Sequence, residues 1–538
     1  MTTTRRSFIS TSGAALLAVA GGPGLLTRRA QYDIVIRGGT LFDGTGAEGR
    51  ELDLAIVAGR IAAIERRIAA RGREEVDARG LAVAPGFVDI HSHADSTLTE
   101  DPRAESVIRQ GITTIVAGAD GSSGAVGAEG KSFTDLFAAL NRLRPGPNVA
   151  SMVGLGAVRG AVVGEADRVA TAEEIGRMTA MVGRSLAEGA CGASSGLEYT
   201  PGAFASREEL VALCRPLAKH RLPYATHMRN EDDRLLEAID ESLAVARGAG
   251  CALQISHLKT QGPRNWQKLD EVFRRVGAAR NAGMDVAFDR YPYVAYSTGL
   301  TNLFPLWSRD GGVEFFLARL ADAAVAPRIR QETLAKVELI GGWDNVHISA
   351  VRAAEDRDGE GKRLGVHARA RGTDPYELAV DLLRRSRGSV GMLGFAMSEQ
   401  NLERILAHPL GMVCTDGGGF AIDGPTRRGS PHPRGAGSFP RVLARYVRER
   451  RTLTLAQAIK KMTSMPASRV RLADRGRLAP RFAADVVVFD PARVTDTATF
   501  EAPFQYPAGI PIVIVNGSVA LRHGQRSIAD SGTALRPG

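Results

Sequence analysis

Short apolar runs alternate with amphipathic stretches along most of this chain, between residues 85 and 470. The amphipathic stretches include Thr171–Glu188 and Arg207–Lys219, where apolar residues recur at helical spacing. Apolar strands that alternate with helices are typical of βα units in a parallel sheet. The apolar runs end near eight positions: His91, Asp120, Gly154, Ser195, His227, His257, Tyr291 and Asp416. The pattern therefore predicts an α/β protein built on a (β/α)₈ TIM-like barrel.

The two ends of the chain carry a different pattern. Apolar runs at Tyr32–Ile36 and Leu54–Val57 are interrupted by glycines, with a turn expected at Gly38-Gly39, and similar runs return at 484–490 and 512–517. Short apolar runs separated by glycine predict antiparallel strands. We therefore expect a small β-sandwich domain built from both chain ends, residues 30–84 and 471–538, with the barrel inserted between them as residues 85–470.

The segment 300–385 is long for a single connection between a strand and a helix. It predicts extra helices over the barrel mouth. Its first part, residues 300–345, and the run Phe420-Ala421-Ile422 are candidate walls of a pocket at that mouth.

Residues 1–29 have the pattern of a targeting signal. Arg5-Arg6-Ser7-Phe8-Ile9 is a twin-arginine motif, and the weakly apolar run 13–20 follows it. That run is too short to span a bilayer, so no stable membrane insertion is expected. The leader predicts export by the twin-arginine route to the periplasm or the medium.

Composition narrows the function classes. The chain has 538 residues, 44% of them hydrophobic, and a formal net charge of +10. The arginines are scattered through helices, without the aromatic-studded basic block that nucleic-acid binding favours, so no nucleic-acid partner is expected. The four cysteines are dispersed and form no CxxC pair, which predicts core residues rather than disulfides. Composition does not set an oligomeric state.

Side chains that bind metals follow several of the buried strands. They are His91, His93, His227, His257 and Asp416. Barrel enzymes build their sites from the carboxyl ends of the strands, where these residues would meet. His91 and His93 are two residues apart, so an extended backbone points both side chains the same way. Neutral imidazoles with a carboxylate suit zinc or a related divalent ion, and the sequence therefore predicts a metal site at the barrel mouth.

Longer runs around these positions resemble one known family. They are Gly86–His93 (GFVDIHSH), Ser194–Tyr199 (SSGLEY), Tyr224–Glu231 (YATHMRNE), Ile255–Lys259 (ISHLK), Tyr291–Tyr293 (YPY), His432–Gly435 (HPRG) and Gly437–Arg441 (GSFPR). Taken in this order, they are similar to the D-aminoacylase, or N-acyl-D-amino-acid deacylase, family of the amidohydrolase superfamily. The resemblance covers nearly the whole chain after the leader. It implies hydrolysis of a small N-acyl-D-amino acid to a carboxylate and a free D-amino acid.

The resemblance also implies the composition of the metal centre. The five residues named above would surround one or two ions, Zn²⁺ or alternatively Co²⁺ or Mn²⁺. The ion would lower the pKa of a water molecule toward neutrality. Asp416 would be the catalytic base that takes the proton from that water and passes it to the leaving amine.

A further set of residues would bind the substrate. The resemblance implies that Lys259 and Arg434 contact the α-carboxylate, since a guanidinium forms a planar fork that matches a carboxylate. Tyr199, Tyr291 and Ser297 would contact the amide or the carboxylate, and Tyr199 could support the oxyanion. For Tyr291, Tyr293 and Ser297, aromatic packing or turn capping is an equally good interpretation.

The chain departs from the family at the end of the second strand. The family has a metal-binding cysteine there, whereas this chain has Asp120 before Gly121. A carboxylate can bridge two ions through its two oxygens, so we expect Asp120 to be a bridging ligand. A turn aspartate is the alternative. The fourth strand ends without a lysine, which argues against a carboxylated-lysine bridge.

Three other functions stay open at this point. A cyclic amidase of the hydantoinase or dihydroorotase type would use the same ligands. A hydrolase for peptides that contain D-amino acids would use the same carboxylate contacts. A non-catalytic barrel that serves as a binding module is the third alternative, although such a module would be expected to lose ligands that this chain keeps.

Overall fold

The computed structural model describes residues 31–126, 132–527 and 531–538 of the chain. The twin-arginine leader predicted at residues 1–29 lies outside these ranges. The first strands are β1 (Tyr32–Leu41), β2 (Arg50–Val57), β3 (Arg60–Glu65), β4 (Gly72–Asp77) and β5 (Ala82–Pro85).

A β-bulge stands where a turn was expected at Gly38-Gly39. Strand β1 runs through both glycines and pairs antiparallel with β2 on either side of them, with a register shift between Ile36 and Gly39. Gly38 has a φ of +63°, a left-handed conformation that glycine adopts without a Cβ clash. The predicted turn was wrong because the glycines bend one long strand instead of ending it.

The barrel begins directly after β5. Its first strands are β6 (Phe87–Asp89), β7 (Ile112–Ala117), β8 (Asn148–Ser151), β9 (Val153–Gly154), β10 (Ala193–Gly196), β11 (Pro223–His227), β12 (Ala252–Ile255) and β13 (Val286–Arg290). β8 and β9 are two parts of one strand, and each strand pairs parallel with its neighbour in the chain. The side chains along these strands are almost all buried, as expected for a parallel sheet covered by helices.

A separate small sheet interrupts the barrel after β13. Its strands are β14 (Ala295–Gly299), β15 (Val346–Val351) and β16 (Val390–Phe395), and they pair antiparallel in the order β14-β16-β15. Helices were expected between residues 300 and 385, and four α-helices occur there, but the sheet was not expected. Its strands pair across many tens of residues, and such pairings leave no local periodic signal.

The last barrel strand, β17 (Gly411–Val413), pairs parallel with β13. The backbone N–H of Asp416 donates to the carbonyl of His91 at 2.9 Å, and the N–H of His93 donates to that of Gly417 at 3.0 Å. These bonds join the last strand to the first. The predicted (β/α)₈ barrel is confirmed, and the eight predicted strand ends fall within three residues of the ends of its strands.

Strands from the end of the chain complete the β domain. They are β18 (Val486–Phe489), β19 (Ile512–Val515), β20 (Ser518–Arg522) and β21 (Gln525–Arg526). β18 pairs antiparallel with β5, so both chain ends belong to one nine-stranded sheet. Val486 and Val488 pack in one buried cluster with Ile34, whereas Val487 and Phe489 pack in the core of the barrel. The alternating faces of β18 thereby fix the β domain to the barrel.

The final residues lie against the barrel, although they fall in the range expected for the β domain. The N–H of Val149 donates to the carbonyl of Thr533 at 2.9 Å, and the N–H of Leu535 donates to that of Val149 at 2.8 Å. The tail therefore pairs parallel with β8 through a bridge between Val149 and Ala534.

The α-helices cover the outside of the barrel and the inserted sheet. They are α1 (Glu105–Ile108), α2 (Phe133–Leu143), α3 (Leu155–Val162), α4 (Ala172–Ala187), α5 (Arg207–His220), α6 (Leu235–Ala249), α7 (Leu269–Asn281), α8 (Val313–Ala321), α9 (Ala326–Leu339), α10 (Leu364–Ala370), α11 (Pro375–Arg385), α12 (Glu399–Ala407), α13 (Arg434–Arg441), α14 (Leu455–Met462) and α15 (Ser464–Arg469). The predicted boundaries of α4 agree with a capping box, in which Thr171 and Glu174 exchange hydrogen bonds. In the parts of the chain that the structure covers, no helix has the length and apolar character needed to cross a membrane.

Candidate metal centre

The predicted metal-binding residues converge at the carboxyl ends of the barrel strands. His227 ends β11, and the others stand in the first residues after their strands: His91 and His93 after β6, Asp120 after β7, His257 after β12 and Asp416 after β17. Their ligand atoms form two overlapping groups that share Asp120. We call these the open group (His91, His93 and Asp416) and the braced group (His227 and His257).

The open group surrounds a small space with oxygen and nitrogen atoms. Asp416 Oδ1 lies 3.4 Å from His91 Nε2 and 3.2 Å from His93 Nε2. Asp120 Oδ1 lies 3.4 Å from His91 Nε2, and Asp120 Oδ2 lies 3.4 Å from His93 Nε2. Such spacing is that of atoms that could share one cation.

The braced group lies on the other side of Asp120. Asp120 Oδ2 is 3.7 Å from His227 Nδ1 and 3.6 Å from His257 Nε2, and these two nitrogens are 3.0 Å apart. One carboxylate therefore faces all four imidazoles. Asp120 also lies in a turn with Gly121, so the turn and the contact with the imidazoles occur at the same residue.

Two buried atoms in the centre support a fit to a cation. His91 Nε2 and Asp120 Oδ1 are buried and make no hydrogen bond. An unpaired polar atom in a protein interior costs free energy unless another partner, such as an ion, takes its lone pair. The donor set of four imidazoles and two carboxylates is one that zinc and related divalent ions accept.

The backbone is strained at three of these residues. Asp120, His257 and Asp416 have φ values of +51°, +36° and +49°, in the left-handed region that residues with a Cβ rarely adopt. Such conformations cost about 1–3 kcal/mol each and concentrate at functional sites. All three residues lie just beyond the end of a barrel strand, where their side chains meet at the centre.

Two buried aspartates that the sequence analysis missed hold the strand ends in place. Asp89 accepts hydrogen bonds from Thr415 N at 2.9 Å and Thr415 Oγ1 at 2.5 Å. Asp289 accepts from His257 N at 2.8 Å. Burial raises the pKa of Asp89 to about 6. Asp89 lies in the GFVDIHSH run, so a charged residue inside an apolar strand was the available signal.

Two buried glutamates were also missed. Glu198 Oε2 lies 3.5 Å from His227 Nε2, and Glu231 Oε1 lies 3.2 Å from His257 Nδ1. Both carboxylates thus face the imidazole nitrogens of the braced group that point away from Asp120. Both residues belong to the runs SSGLEY and YATHMRNE, but the sequence does not show that these runs meet.

The carboxylates favour positive charge at the imidazoles. Burial lowers the pKa of His93, but its hydrogen bonds to Asp120 and Asp416 outweigh burial and raise the pKa to about 10. For His227, burial is likewise outweighed by Glu231 and Asp120, and the pKa rises to about 10. A divalent cation would satisfy the same negative field after displacing these protons.

The metal centre opens into a cavity of about 750 Å³ at the barrel mouth. The five residues expected to bind substrate all line this cavity: Tyr199, Lys259, Tyr291, Ser297 and Arg434. Asn302, from the segment expected to form a wall, lines it too. Phe420, from the other expected wall, lines an adjoining cavity that meets the first at Ser297, Asp416, Gly418 and Arg434.

Arg434 is held beside the proposed base. Arg434 Nη1 lies 2.7 Å from Asp416 Oδ2, and the guanidinium carbon lies 4.6 Å from the centre of the Tyr291 ring. Burial alone would raise the pKa of Asp416, but Arg434, His257 and His91 hold it below its usual range. His432 accepts from Arg434 N through Nδ1 at 2.9 Å and faces the Ala295 carbonyl through Nε2 at 2.9 Å, which fixes the start of α13.

Tyr199 and Tyr291 line the cavity, and the surroundings of their hydroxyl groups differ from those of Tyr293. Burial, followed by the Asp120 carboxylate, raises the pKa of Tyr199 well above its usual value, so its hydroxyl stays protonated. The Tyr291 hydroxyl is buried and makes no hydrogen bond, which leaves it available to a ligand. Tyr293 instead packs under the Arg441 guanidinium, with its hydroxyl 3.5 Å from Asp496, and this favours a structural role for it.

Known proteins match this chain over most of its length. The Amidohydrolase family matches residues 74–336 and 419–521. N-acyl-D-glutamate deacylase from Alcaligenes xylosoxydans xylosoxydans is 38% identical over 503 residues, which cover 90% of this chain and 93% of that protein. D-aminoacylase from the same organism is 36% identical over 504 residues, covering 90% and 94%.

Solved structures agree with these sequence matches. N-acyl-D-glutamate deacylase from Bordetella bronchiseptica, complexed with zinc and a phosphonate inhibitor, matches with a TM-score of 0.81 and 36% identity over 94% of this chain and 99% of that one. L-hydantoinase from Arthrobacter aurescens matches with a TM-score of 0.58 and 17% identity over 94% of this chain and all of that one, which is a likeness of fold alone. The matched sequences, the barrel and the converging ligand atoms agree, and the chain belongs to the amidohydrolase family, within its N-acyl-D-amino-acid deacylase branch.

Proposed function

We propose that this chain is a metal-dependent deacylase that hydrolyses the amide of N-acyl-D-amino acids to a carboxylate and a free D-amino acid. One observation carries the proposal: the metal-ligand set and a buried Arg434–Asp416 pair open into the same cavity. Relatives with this activity are 35–38% identical over at least 90% of the chain.

Zinc is the ion that we propose for the centre, with Co²⁺ or Mn²⁺ as substitutes. His91, His93, His227, His257, Asp120 and Asp416 would hold it. When bound, a divalent ion lowers the pKa of water toward neutrality and polarises a carbonyl group. A related D-aminoacylase is described as having a binuclear metal centre. The shared position of Asp120 supports two ions in this chain as well.

Asp416 is the proposed base. Its carboxylate stays anionic because Arg434 and the imidazoles lower its pKa, so it can take a proton from the attacking water. The same carboxylate then returns the proton to the leaving amine. Tyr199 is the proposed donor of a hydrogen bond to the oxygen on which negative charge develops, since it lines the cavity and its hydroxyl remains protonated.

Arg434, Tyr291, Ser297 and Lys259 are the proposed contacts to the substrate carboxylate. The guanidinium of Arg434 already lies beside one carboxylate, that of Asp416, and its remaining N–H donors are free to bind another. Lys259 Nζ lies 2.6 Å from Glu231 Oε1 and would share its charge between that carboxylate and the substrate.

A substrate panel tests this function. The full-length protein is loaded with Zn²⁺, Co²⁺ or Mn²⁺ and assayed with matched N-acetyl-D- and N-acetyl-L-amino acids, with hydantoins alongside. We expect hydrolysis of the D-forms and a rate for hydantoins near background. Turnover of L-forms alone, or of hydantoins alone, would contradict the proposal while leaving the fold assignment intact.

We also propose that the protein is exported by the twin-arginine route, on the basis of Arg5-Arg6 and the short apolar run after it. Replacement of both arginines by lysine should retain the protein inside the producing cell. Fractionation with an antibody against the chain measures this. Equal export of the variant and the wild type would contradict the proposal.

A further inference from the structure

One carboxylate lies between the braced group and the substrate-binding lysine. Glu231 Oε1 is 2.6 Å from Lys259 Nζ and 3.2 Å from His257 Nδ1. Glu231 Oε2 accepts a hydrogen bond from Gln261 Nε2 at 2.7 Å and lies 3.9 Å from His227 Nε2. Glu231 and Lys259 are only 1% and 2% exposed. A charge buried this deeply requires partners for both oxygens, and Glu231 has them.

The imidazole of His257 uses its two nitrogens on opposite sides. Nε2 faces Asp120 Oδ2 and the His227 ring, while Nδ1 faces Glu231 and Lys259. A neutral imidazole that gives the lone pair of Nε2 to a cation carries its proton on Nδ1. That proton needs an acceptor, and the acceptor within reach is Glu231 Oε1.

Lys259 contacts the same nitrogen of His257 that faces Glu231. Its Nζ also lies 2.6 Å from His257 Nδ1. An ammonium group has donors only, so it bonds to Nδ1 only while that nitrogen carries no proton. When Nδ1 carries the proton, two donors face each other, and Lys259 is directed to Glu231 and to the cavity that it lines.

We propose that Glu231 is a positioning residue that couples the metal centre to the binding of the substrate carboxylate. It accepts the Nδ1–H of His257 and so aims Nε2 at the ion. It also accepts a hydrogen bond from Lys259 and so holds the ammonium at the cavity. The inference rests on the proposed function, because it uses the roles given above to His257 and Lys259.

The competing explanation is that Glu231 only neutralises the buried charge of Lys259. Three variants separate the two explanations: Glu231→Leu, Lys259→Met and the double variant. If Glu231 serves His257, Glu231→Leu weakens zinc binding by about 10- to 100-fold, as is usual for the outer partner of a metal-binding histidine. Lys259→Met then binds zinc nearly as the wild type does, and the double variant binds as weakly as Glu231→Leu.

The measurement is the Zn²⁺ dissociation constant of the full-length protein by chelator competition, with the absorption spectrum of the Co²⁺ form as a second readout. Neither needs turnover. Glu231→Gln should restore part of the affinity, because its amide oxygen can still accept from Nδ1. Wild-type affinity in the double variant, or in Glu231→Leu itself, would overturn the proposal.

A matched control comes from a second buried ion pair. Arg159 Nη1 lies 2.5 Å from Glu209 Oε2, and both side chains are at most 2% exposed. Glu209→Gln should lower the thermal unfolding temperature without changing zinc affinity. If Glu231→Leu fails to fold because Lys259 is left unpaired, the double variant contains no unpaired charge at this place and still decides the question.

Substrate kinetics separate this inference from the function itself. Lys259→Met should raise KM more than it lowers kcat, since it removes a contact that substrate and transition state share. If the wild type hydrolyses no N-acyl amino acid but the zinc affinities follow the expected order, the proposed function fails and the positioning of His257 stands.

Discussion

The open group and the braced group of the metal centre share Asp120 but differ in their surroundings. His93 in the open group keeps 33% of its side chain exposed, whereas His257 in the braced group keeps 2%. Both imidazoles of the braced group have a glutamate behind them. In the open group, His91 has Asp289 behind it, with 3.6 Å between Nδ1 and Oδ1, and Asp416 has Arg434 at its back.

This difference indicates that the braced group serves to retain an ion, whereas the open group serves the reaction. Carboxylates behind an imidazole fix its ring and its tautomer, so the braced group is built to retain an ion. The open group presents an anionic carboxylate to a cavity large enough for a substrate. We therefore expect substitutions in the braced group to act first on metal content and those around Asp416 to act first on rate.

The largest effect should come from the residue that the two groups share. Asp120→Ala removes the carboxylate that faces the imidazoles of both groups, so metal content per chain should fall and activity should drop below detection. Metal analysis by mass spectrometry, together with the deacylation rate, measures both. An unchanged metal content and rate would refute the bridging role.

Substitution of Asp416 should affect the rate far more than the metal content. Asp416→Asn removes the proposed base, which should lower kcat by roughly 10³-fold. Most of the metal should remain, because Asp120 and all four imidazoles are intact. A kcat close to that of the wild type would show that another group carries the proton.

Arg434→Lys tests the substrate side of the open group. The planar guanidinium is replaced by a point charge, and loss of a charged hydrogen bond of about 1.5–3 kcal/mol predicts a kcat/KM lower by about 10- to 100-fold. This loss should appear mainly as a higher KM for N-acyl-D-amino acids. The variant is also assayed with an uncharged amide analogue, which lacks the carboxylate. If kcat/KM for this analogue falls as much, then Arg434 acts on Asp416 rather than on the substrate.

The pH dependence of metal binding should not distinguish the two groups. The pKa of His93 and that of His227 are both raised from 6.5 to about 10, so each ring retains a proton at neutral pH until an ion displaces it. Apparent zinc affinity should therefore rise with pH, by up to about tenfold per unit for each proton released. Chelator competition between pH 6 and 9 measures this slope, and an affinity independent of pH would contradict it.

The sequence by itself determined the barrel and most of the candidate ligands. Each barrel strand is a local apolar run, and the ligands at its end follow it within a few residues, so both signals lie in one short window. His91, His227, His257 and Asp416 could be found in this way. The same windows placed Asp120 among the candidate ligands.

The partners of those ligands were decided only by the tertiary structure. Glu231 approaches Lys259 and His257 from a different strand end, and Asp89 bonds to Thr415 from the opposite end of the barrel sequence. The inserted sheet β14-β16-β15 and the tail on β8 also join distant segments. Local periodicity reports which face of an element is buried, but contacts between distant segments depend on how the chain closes on itself, and no single window of sequence contains that information.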